Sequence, residues 1–567
     1  MRFSMPAPIQ QLLARNWKSG LAVSVVSIPL ALALAITSGA TPTQGIITAV
    51  WAGLLAALLG SSNFNVVGPT GALAGILVSY AIVHGYHLLP VVAILSGLII
   101  LAAWLLRLDK YIIFIPRSVV HGFTLGVAFI IALGQLNNAL GINHLKLREH
   151  LLENVLATLQ ALDQADWMVF LLFLACMAFI VLWNKKIRRF PGAAAAAFLA
   201  IAVMGGLRAA GFAPTPATLG DRYPDVHAAL FESPLAAFDW SLFAQRDLWL
   251  LALATAVVAI LETLLSGQIA NNLTGTRFNR RREVFGLAAA NLGSGLMGGI
   301  PATAALARTA LNINSGADHK TSAVVNAIVV ALVAVFFIEY FKLLPMFVIA
   351  AILVTVAIGM VHKKHFVHLI SNEKTAFVLS LVVAALVVLV DPIIGILIGT
   401  VAALLIFVNK LSYGQTEIVL WKDGRMTEAL LKHDFLRRDN IVSDIVIYNI
   451  SGTLTYINMP AHLEAVQKIR GNHHVVISLR HAFYADADGI EYLSEIIDIL
   501  RRSNDKILLA GINAEIRPLV IRQEFFHAKS VEGKIYDRTA DAIADILAHR
   551  TSAAVDAAAD DERDTSA

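Results

Sequence analysis

The 567-residue chain has one cysteine and few charges: Asp, Glu, Lys and Arg make up 15% of it. Soluble domains carry about 25% charged residues, so this scarcity excludes an ordinary globular protein as a description of the whole. The lone Cys176 excludes a disulfide framework and a cysteine-based zinc site. Lying inside an apolar run at 170–182, it reads as a small packing residue. No secretory signal peptide is evident, because residues 1–18 are mixed and the first apolar run opens a continuing series. The net charge of +4 is small and the basic residues are scattered, which argues against nucleic acid as a partner. No nucleophile–base pair or metal cluster stands out, so the chain does not read as an enzyme and no cofactor is expected.

What the sequence has is apolar length, 57% hydrophobic residues. Apolar stretches, many long enough for a bilayer-spanning helix, lie at 20–36, 46–59, 69–83, 91–106, 119–136, 168–183, 193–207, 248–265, 284–297, 303–313, 322–338, 343–360, 375–390 and 393–408. With the N-terminus inside, the inside loops collect Arg107, Lys110, Arg117, Lys185, Lys186, Arg188 and Arg189. Further along they collect Arg277, Arg280–Arg282, Lys363, Lys364 and Lys374. Basic residues on the other side are balanced by acids such as Asp163, Asp166, Asp221 and Glu232. This positive-inside bias leaves both termini cytoplasmic. Topology anchoring, rather than anion attraction, is the preferred reading of Arg280–Arg282.

After residue 411 the pattern changes. Strand-like clusters at 444–450, 475–479 and 507–510 alternate with helical patterns at 461–470, 490–502, 516–525 and 540–549, which predicts a small soluble α/β domain. Four regions result: a cytoplasmic N-terminus (1–18), a transmembrane part (19–412), the α/β domain (433–550) and a tail at 551–567 rich in Ala and Asp, with the composition of a disordered segment.

Two places break transmembrane grammar. Gly68-Pro69-Thr70 and Gly298-Gly299-Ile300-Pro301-Ala302-Thr303 each join glycine and proline to a threonine and then start a short run of small residues. Proline suits a helix start, so both read as half-helices beginning inside the membrane with facing N-termini. Each lies about fifty residues after the start of an apolar run, and matched interruptions in two halves point to a substrate site between inverted repeats. Close packing of small residues is the plainer alternative. Free N–H groups at two helix starts suit an anion, and Thr70 and Thr303 add hydroxyls. One helix end contributes only about 0.3–1 kcal/mol, up to about 2 when partly buried. A charge at mid-membrane costs at least about 2.5–3.5 kcal/mol, so a compensating positive charge is expected, from Arg308 or a co-transported cation. Glu262, inside the 248–265 stretch with Ser266 one turn on, is an intramembrane carboxylate and so a functional candidate. It would carry a proton, bind Na⁺ with Ser266, or pair with Arg308. His362, His365 and His368 read as a solvated interfacial cluster rather than a metal site.

Together with Ser27-Ile28-Pro29-Leu30-Ala31-Leu32-Ala33, Leu261-Glu262-Thr263-Leu264-Leu265-Ser266 and the run from Asn291 to Asn312, these motifs make the chain resemble the SulP (sulfate permease) family of anion transporters. The stretches 475–479, 486–490 and 508–513 make its end resemble the STAS domain. The resemblance implies a polytopic α-helical membrane protein of about fourteen segments, arranged as seven-plus-seven inverted repeats with core and gate parts, and a C-terminal cytoplasmic STAS domain. It also implies a homodimer in a plasma (inner) membrane. Carried over by position, Leu30, Thr70, Thr303, Ala304, Ala305, Leu306 and Arg308 would face the anion, and Glu262 and Ser266 the coupling ion. Sodium-coupled bicarbonate members have Asp and Thr at these last two places, so Glu262 and Ser266 lean toward H⁺. The implied activity is secondary transport of a small anion (sulfate, bicarbonate or a C4-dicarboxylate) by H⁺ symport with elevator-type motion. A Na⁺-coupled bicarbonate symporter and an uncoupled channel or exchanger are the alternatives. Membrane lipid and a cytoplasmic partner of the STAS domain complete the expected partners. Ala487 and Asp488 stand where regulatory STAS domains carry a phosphorylatable residue, and Asp488 reads as a helix cap.

Overall fold

The computed structural model describes residues 9–548 except 109, 111–115, 143–144, 146–147, 149–150, 188–189, 212–215, 234–240, 242–243, 362, 391, 413–415, 423–424, 432–442, 473, 505 and 524–534. The tail at 551–567 and His362 therefore lie outside the described residues. Two compact units separate along the chain, Met1–Ala403 and Leu404–Ala567.

Ten helices, among the described residues, are long and apolar enough to cross a membrane, and two more, Gly71–His84 and Lys374–Leu389, are apolar but shorter. With two helices flanking the second break they form two sets of seven. The first set is α1 (Ile9–Thr37), α2 (Pro42–Leu59), α3 (Gly71–His84), α4 (Leu89–Leu105), α5 (Arg117–Gly134), α6 (Trp167–Lys186) and α7 (Gly192–Ala209). The second is α8 (Arg246–Thr274), α9 (Arg280–Leu296), α10 (Leu306–Asn314), α11 (Thr321–Phe341), α12 (Met346–Met360), α13 (Lys374–Leu389) and α14 (Pro392–Ser412). Local chemistry sets several boundaries. Thr41 and Gln44 form a capping box ahead of α2, with Pro42 at its first position. Asp166 caps α6, and Asn279 caps α9.

The packing of the two sets matches pair by pair. Helix α1 lies on α11 as α8 lies on α4; α1 meets α10 as α8 meets α3; α5 meets α13 as α12 meets α6. The breaks join directly. Strand β1 (Val67–Gly68) pairs antiparallel with β2 (Thr303–Ala304), with Val67 opposite Ala304 and Gly68 opposite Thr303. Helices α6, α7 and α14 carry many exposed large apolar side chains, Leu171, Leu199 and Leu405 among them, as lipid-facing helices do.

In the second unit a six-stranded sheet runs in the order β4-β3-β5-β6-β7-β8. It comprises β3 (Thr416–Lys422), β4 (Arg425–Leu431), β5 (Ile445–Leu454), β6 (His474–Ala485), β7 (Lys506–Ala510) and β8 (Ile535–Tyr536). The last four are parallel and β3–β4 is an antiparallel edge. Helices α15 (Met459–Val466), α16 (Ala487–Ser503) and α17 (Arg517–Ile521) cover one face, where Leu493, Ile496 and Leu500 pack on Val475, Ile477 and Leu509. Two details differ from the sequence reading. The β3–β4 hairpin was not anticipated, because Trp421-Lys422-Asp423-Gly424 interrupts a short and partly charged pattern. The cap of α16 is Asp486, which accepts from the Gly489 N–H at 2.7 Å, rather than Asp488. Only the residue before the first helical one has the extended backbone a cap requires, and Asp488 sits inside the first turn.

Candidate functional site

The first half-helix starts at Gly71, directly after Thr70, where the sequence places it; the second starts at Leu306, three residues beyond Thr303. Thr70 is the residue before α3, extended at φ −133°, and its side chain does not cap the helix. Its Oγ1 donates instead to Glu262 Oε2 of α8 at 3.3 Å. The first α3 carboxylate partner thus comes from the other half of the molecule. Thr303 does not start α10. It lies in β2, where its Oγ1 donates to the Ala259 carbonyl at 3.0 Å and stands 2.9 Å from Thr263 Oγ1. The strand pairing takes up Thr303 and Ala304, so Ala305 becomes the residue before the helix and Leu306 its first member.

Arg308 belongs to α10 but reaches the other break. One guanidinium nitrogen donates to the Pro69 carbonyl at 2.5 Å, and the group lies against Gly68. The side chain is 2% exposed, and its Nε and Nη1 have no hydrogen-bond partner. A buried cation with two unspent donors beside two helix starts is an arrangement that attracts an anion. Glu262 and Arg308 form no direct ion pair among the described residues. Each is held by the Gly68-Pro69-Thr70 segment. Leu30 is buried in α1, which packs against both α3 and α10.

Ser266 is brought to the same helix face as Glu262 but to another partner: its Oγ donates to Thr309 Oγ1 at 2.9 Å, and that oxygen also accepts from the Val66 N–H. The site therefore has two tiers on α8. Glu262 is partly accessible and faces Thr70; Ser266 is fully buried and ties α8 to α10.

Three side chains missed from the sequence hold this geometry. Glu283, buried in the first turn of α9, accepts from the Ser61 and Ser62 N–H groups at 2.7 and 2.8 Å and from Asn65 Nδ2 at 2.7 Å. It fixes the loop that enters β1. Asn291 mimics a peptide, accepting the Ala302 N–H and donating to the Ala302 carbonyl at 2.9 and 3.0 Å. Thr48 Oγ1 accepts the Ile300 N–H at 2.7 Å. Glu283 stands four residues after the capping Asn279, one beyond the spacing of a capping box, and Arg280–Arg282 drew the reading to topology instead.

Two sequence families match this chain: the sulfate permease family over residues 13–383 and the STAS domain over 438–542. The chain belongs to the sulfate permease family. It is 30% identical over 515 residues to YvdB of Bacillus subtilis, a protein named for sulfate transport, covering 90% of this chain and 93% of that one. It is 26% identical over 423 residues to the bicarbonate transporter BicA of Picosynechococcus, covering 70% and 71%. The structure of SLC26A9 superposes with a TM-score of 0.81 over 96% of this chain and 91% of that one, at 15% identity, and so shares its fold. The family member is thus a multi-pass membrane transporter rather than an enzyme.

Proposed function

We propose that this protein is a secondary active transporter of a small oxyanion, sulfate or bicarbonate in the first instance and C4-dicarboxylates as a further candidate class, driven by H⁺. The observation that carries the reading is the junction of the two breaks. Two helix starts, the unpartnered donors of Arg308 and the Thr70 hydroxyl converge beside one titratable group, Glu262. Relatives named for sulfate and bicarbonate support the choice of anion. H⁺ is preferred to Na⁺ because Glu262 and Ser266 stand where sodium-coupled bicarbonate members of the family carry Asp and Thr. Mechanistically, the anion docks on the α3 and α10 starts and Arg308, and a proton on Glu262 offsets its charge. The core part carrying both then slides against the gate helices in an elevator-like step. Both termini lie on the cytoplasmic side of the plasma (inner) membrane, and two copies assemble as a dimer, with the STAS domain assisting assembly and regulation.

The test is uptake of labelled sulfate, bicarbonate and succinate into proteoliposomes with and without imposed H⁺ or Na⁺ gradients. An H⁺ gradient drives accumulation in the wild type, and Glu262→Gln loses that dependence. If the mutant still accumulated anion against its own gradient, the coupling role would be wrong.

A further inference from the structure

A cleft of mixed polar and apolar lining opens along α3 away from its start, beside the end of α1. One wall is a single face of α3, Gly75, Val78, Ser79 and Ile82, at spacings of three, four and seven residues. The opposite wall is built from the end of α5, the short helix Leu136–Ala139 and the turn Leu219–Arg222. Two arginines, Arg148 and Arg222, line the cleft, and none of the described residues lining it is acidic. Neither arginine forms an ion pair among the described residues.

Arg222 is held as if to present its charge. The turn that carries it is bolted to the α11–α12 connection, Leu219 N donating to the Leu344 carbonyl at 2.8 Å and Gly220 N to the Lys342 carbonyl at 2.9 Å. The neighbouring Asp221 forms no ion pair with it among the described residues: its carboxylate accepts from the Thr218 N–H and hydroxyl at 2.8 and 2.7 Å and pairs with Arg208 at 3.5 Å. Arg222 Nη1 donates to Asn138 Oδ1 at 3.0 Å, and Asn138 passes its own amide to Gln135 Oε1 at 2.9 Å. Asn137 Oδ1 is taken by Thr158 Oγ1 at 2.5 Å, so the group Asn137 has left to offer is a donor. Among the described residues lining the cleft the charge is thus of one sign, and Arg222 and Asn137 bring N–H donors to it.

The cleft stops short of the Thr70–Glu262 junction. A methyl placed on Gly71 would meet Ile131 Cδ1 at 2.7 Å and Met360 Sδ at 3.1 Å, so these side chains close on the first turn of α3, one turn from Gly75. We propose that this cleft is an antechamber that captures an oxyanion before it reaches the α3–α10 junction, with Arg222 as its principal binding residue and Arg148 and Asn137 as contributors. The inference rests on the anion-transport reading for its purpose. Clefts of one charge sign raise local ion concentration and encounter rates about ten- to a thousand-fold.

The test uses the full chain in proteoliposomes, with Val78→Cys placed in a Cys176→Ser background. Methanethiosulfonate reagents of opposite charge are added from the side of the cleft, ethylsulfonate as the anion and trimethylammonium-ethyl as the cation. The anionic reagent reacts faster, millimolar sulfate slows it, and Arg222→Gln lowers the anionic-to-cationic rate ratio about tenfold, while Arg222→Lys retains it. Sulfate uptake from that side shows a KM raised by a similar factor in Arg222→Gln, with efflux from the other side unaltered. Equal rates for the two reagents, or a ratio indifferent to Arg222→Gln, overturns the proposal whatever the transport data. A charge-dependent ratio in a protein that carries no sulfate would leave the cleft assignment standing and remove the transport reading instead.

Discussion

Gly68→Ala tests the junction of the two breaks at its tightest point. A Cβ at position 68 would lie 2.6 Å from Arg308 Nη1 and 3.3 Å from Nη2, and ordinary van der Waals contact begins at 3.4 Å. The guanidinium must therefore retreat by about 0.8 Å, the difference between contact and ordinary separation. A retreat of that size away from the break lengthens the bond to the Pro69 carbonyl from 2.5 Å to about 3.3 Å, just past the usual range for such a bond. The alternative, moving residue 68, would strain the β1–β2 pairing. A hydrogen bond from a charged group contributes about 1.5–3 kcal/mol, and each 1.4 kcal/mol is tenfold in affinity. Sulfate binding measured by calorimetry on the detergent-solubilised protein is then expected to weaken about ten- to a hundredfold. The same substitution in an Arg308→Ala background should cost little, because the partner it displaces is gone. An unaltered Kd for Gly68→Ala, or an equal penalty with and without Arg308, would refute this account of the site.

Glu283→Ala removes the acceptor for the Ser61 and Ser62 N–H groups and for Asn65. Each buried donor left unmet costs about 1–3 kcal/mol, so thermal melting in detergent should fall clearly, with Glu283→Gln between it and wild type; unchanged melting would mean the loop finds other acceptors. In the second unit, Asp486→Ala should destabilise α16 by about 1 kcal/mol, read as faster amide exchange in its first turn, whereas Asp488→Ala should have less than half that effect.

The two breaks, the intramembrane carboxylate and the fourteen apolar runs were legible in the sequence because each is a local signal. Glycine, proline and threonine mark a helix start, and a lone Glu among leucines marks a charge in lipid. What escaped was the consequence of pairing across 240 residues of chain. Nothing local tells Thr303 that Gly68 lies opposite it, so the helix start moved to Leu306 and the Thr303 hydroxyl went to Ala259. Glu283 and Asn291 escaped for a related reason: each serves backbone that is distant in sequence or folded back on itself, and the residue type alone does not name its partner. In the second unit the β-branched central strands were readable, while the edge hairpin was not, since edge strands need fewer apolar residues.

The two-rung ladder between the breaks also constrains how this chain can change over generations. Its halves pair their helices alike yet differ in loop length, as the long connection from α5 to α6 and its shorter counterpart from α12 to α13 show. At Val67 and Gly68 that freedom ends. A one-residue insertion before Pro69 would slide Val67 and Gly68 past Ala304 and Thr303 and carry Arg308 away from the Pro69 carbonyl. Each copy therefore serves as the ruler for the other, and a length change tolerated in either must be answered in both.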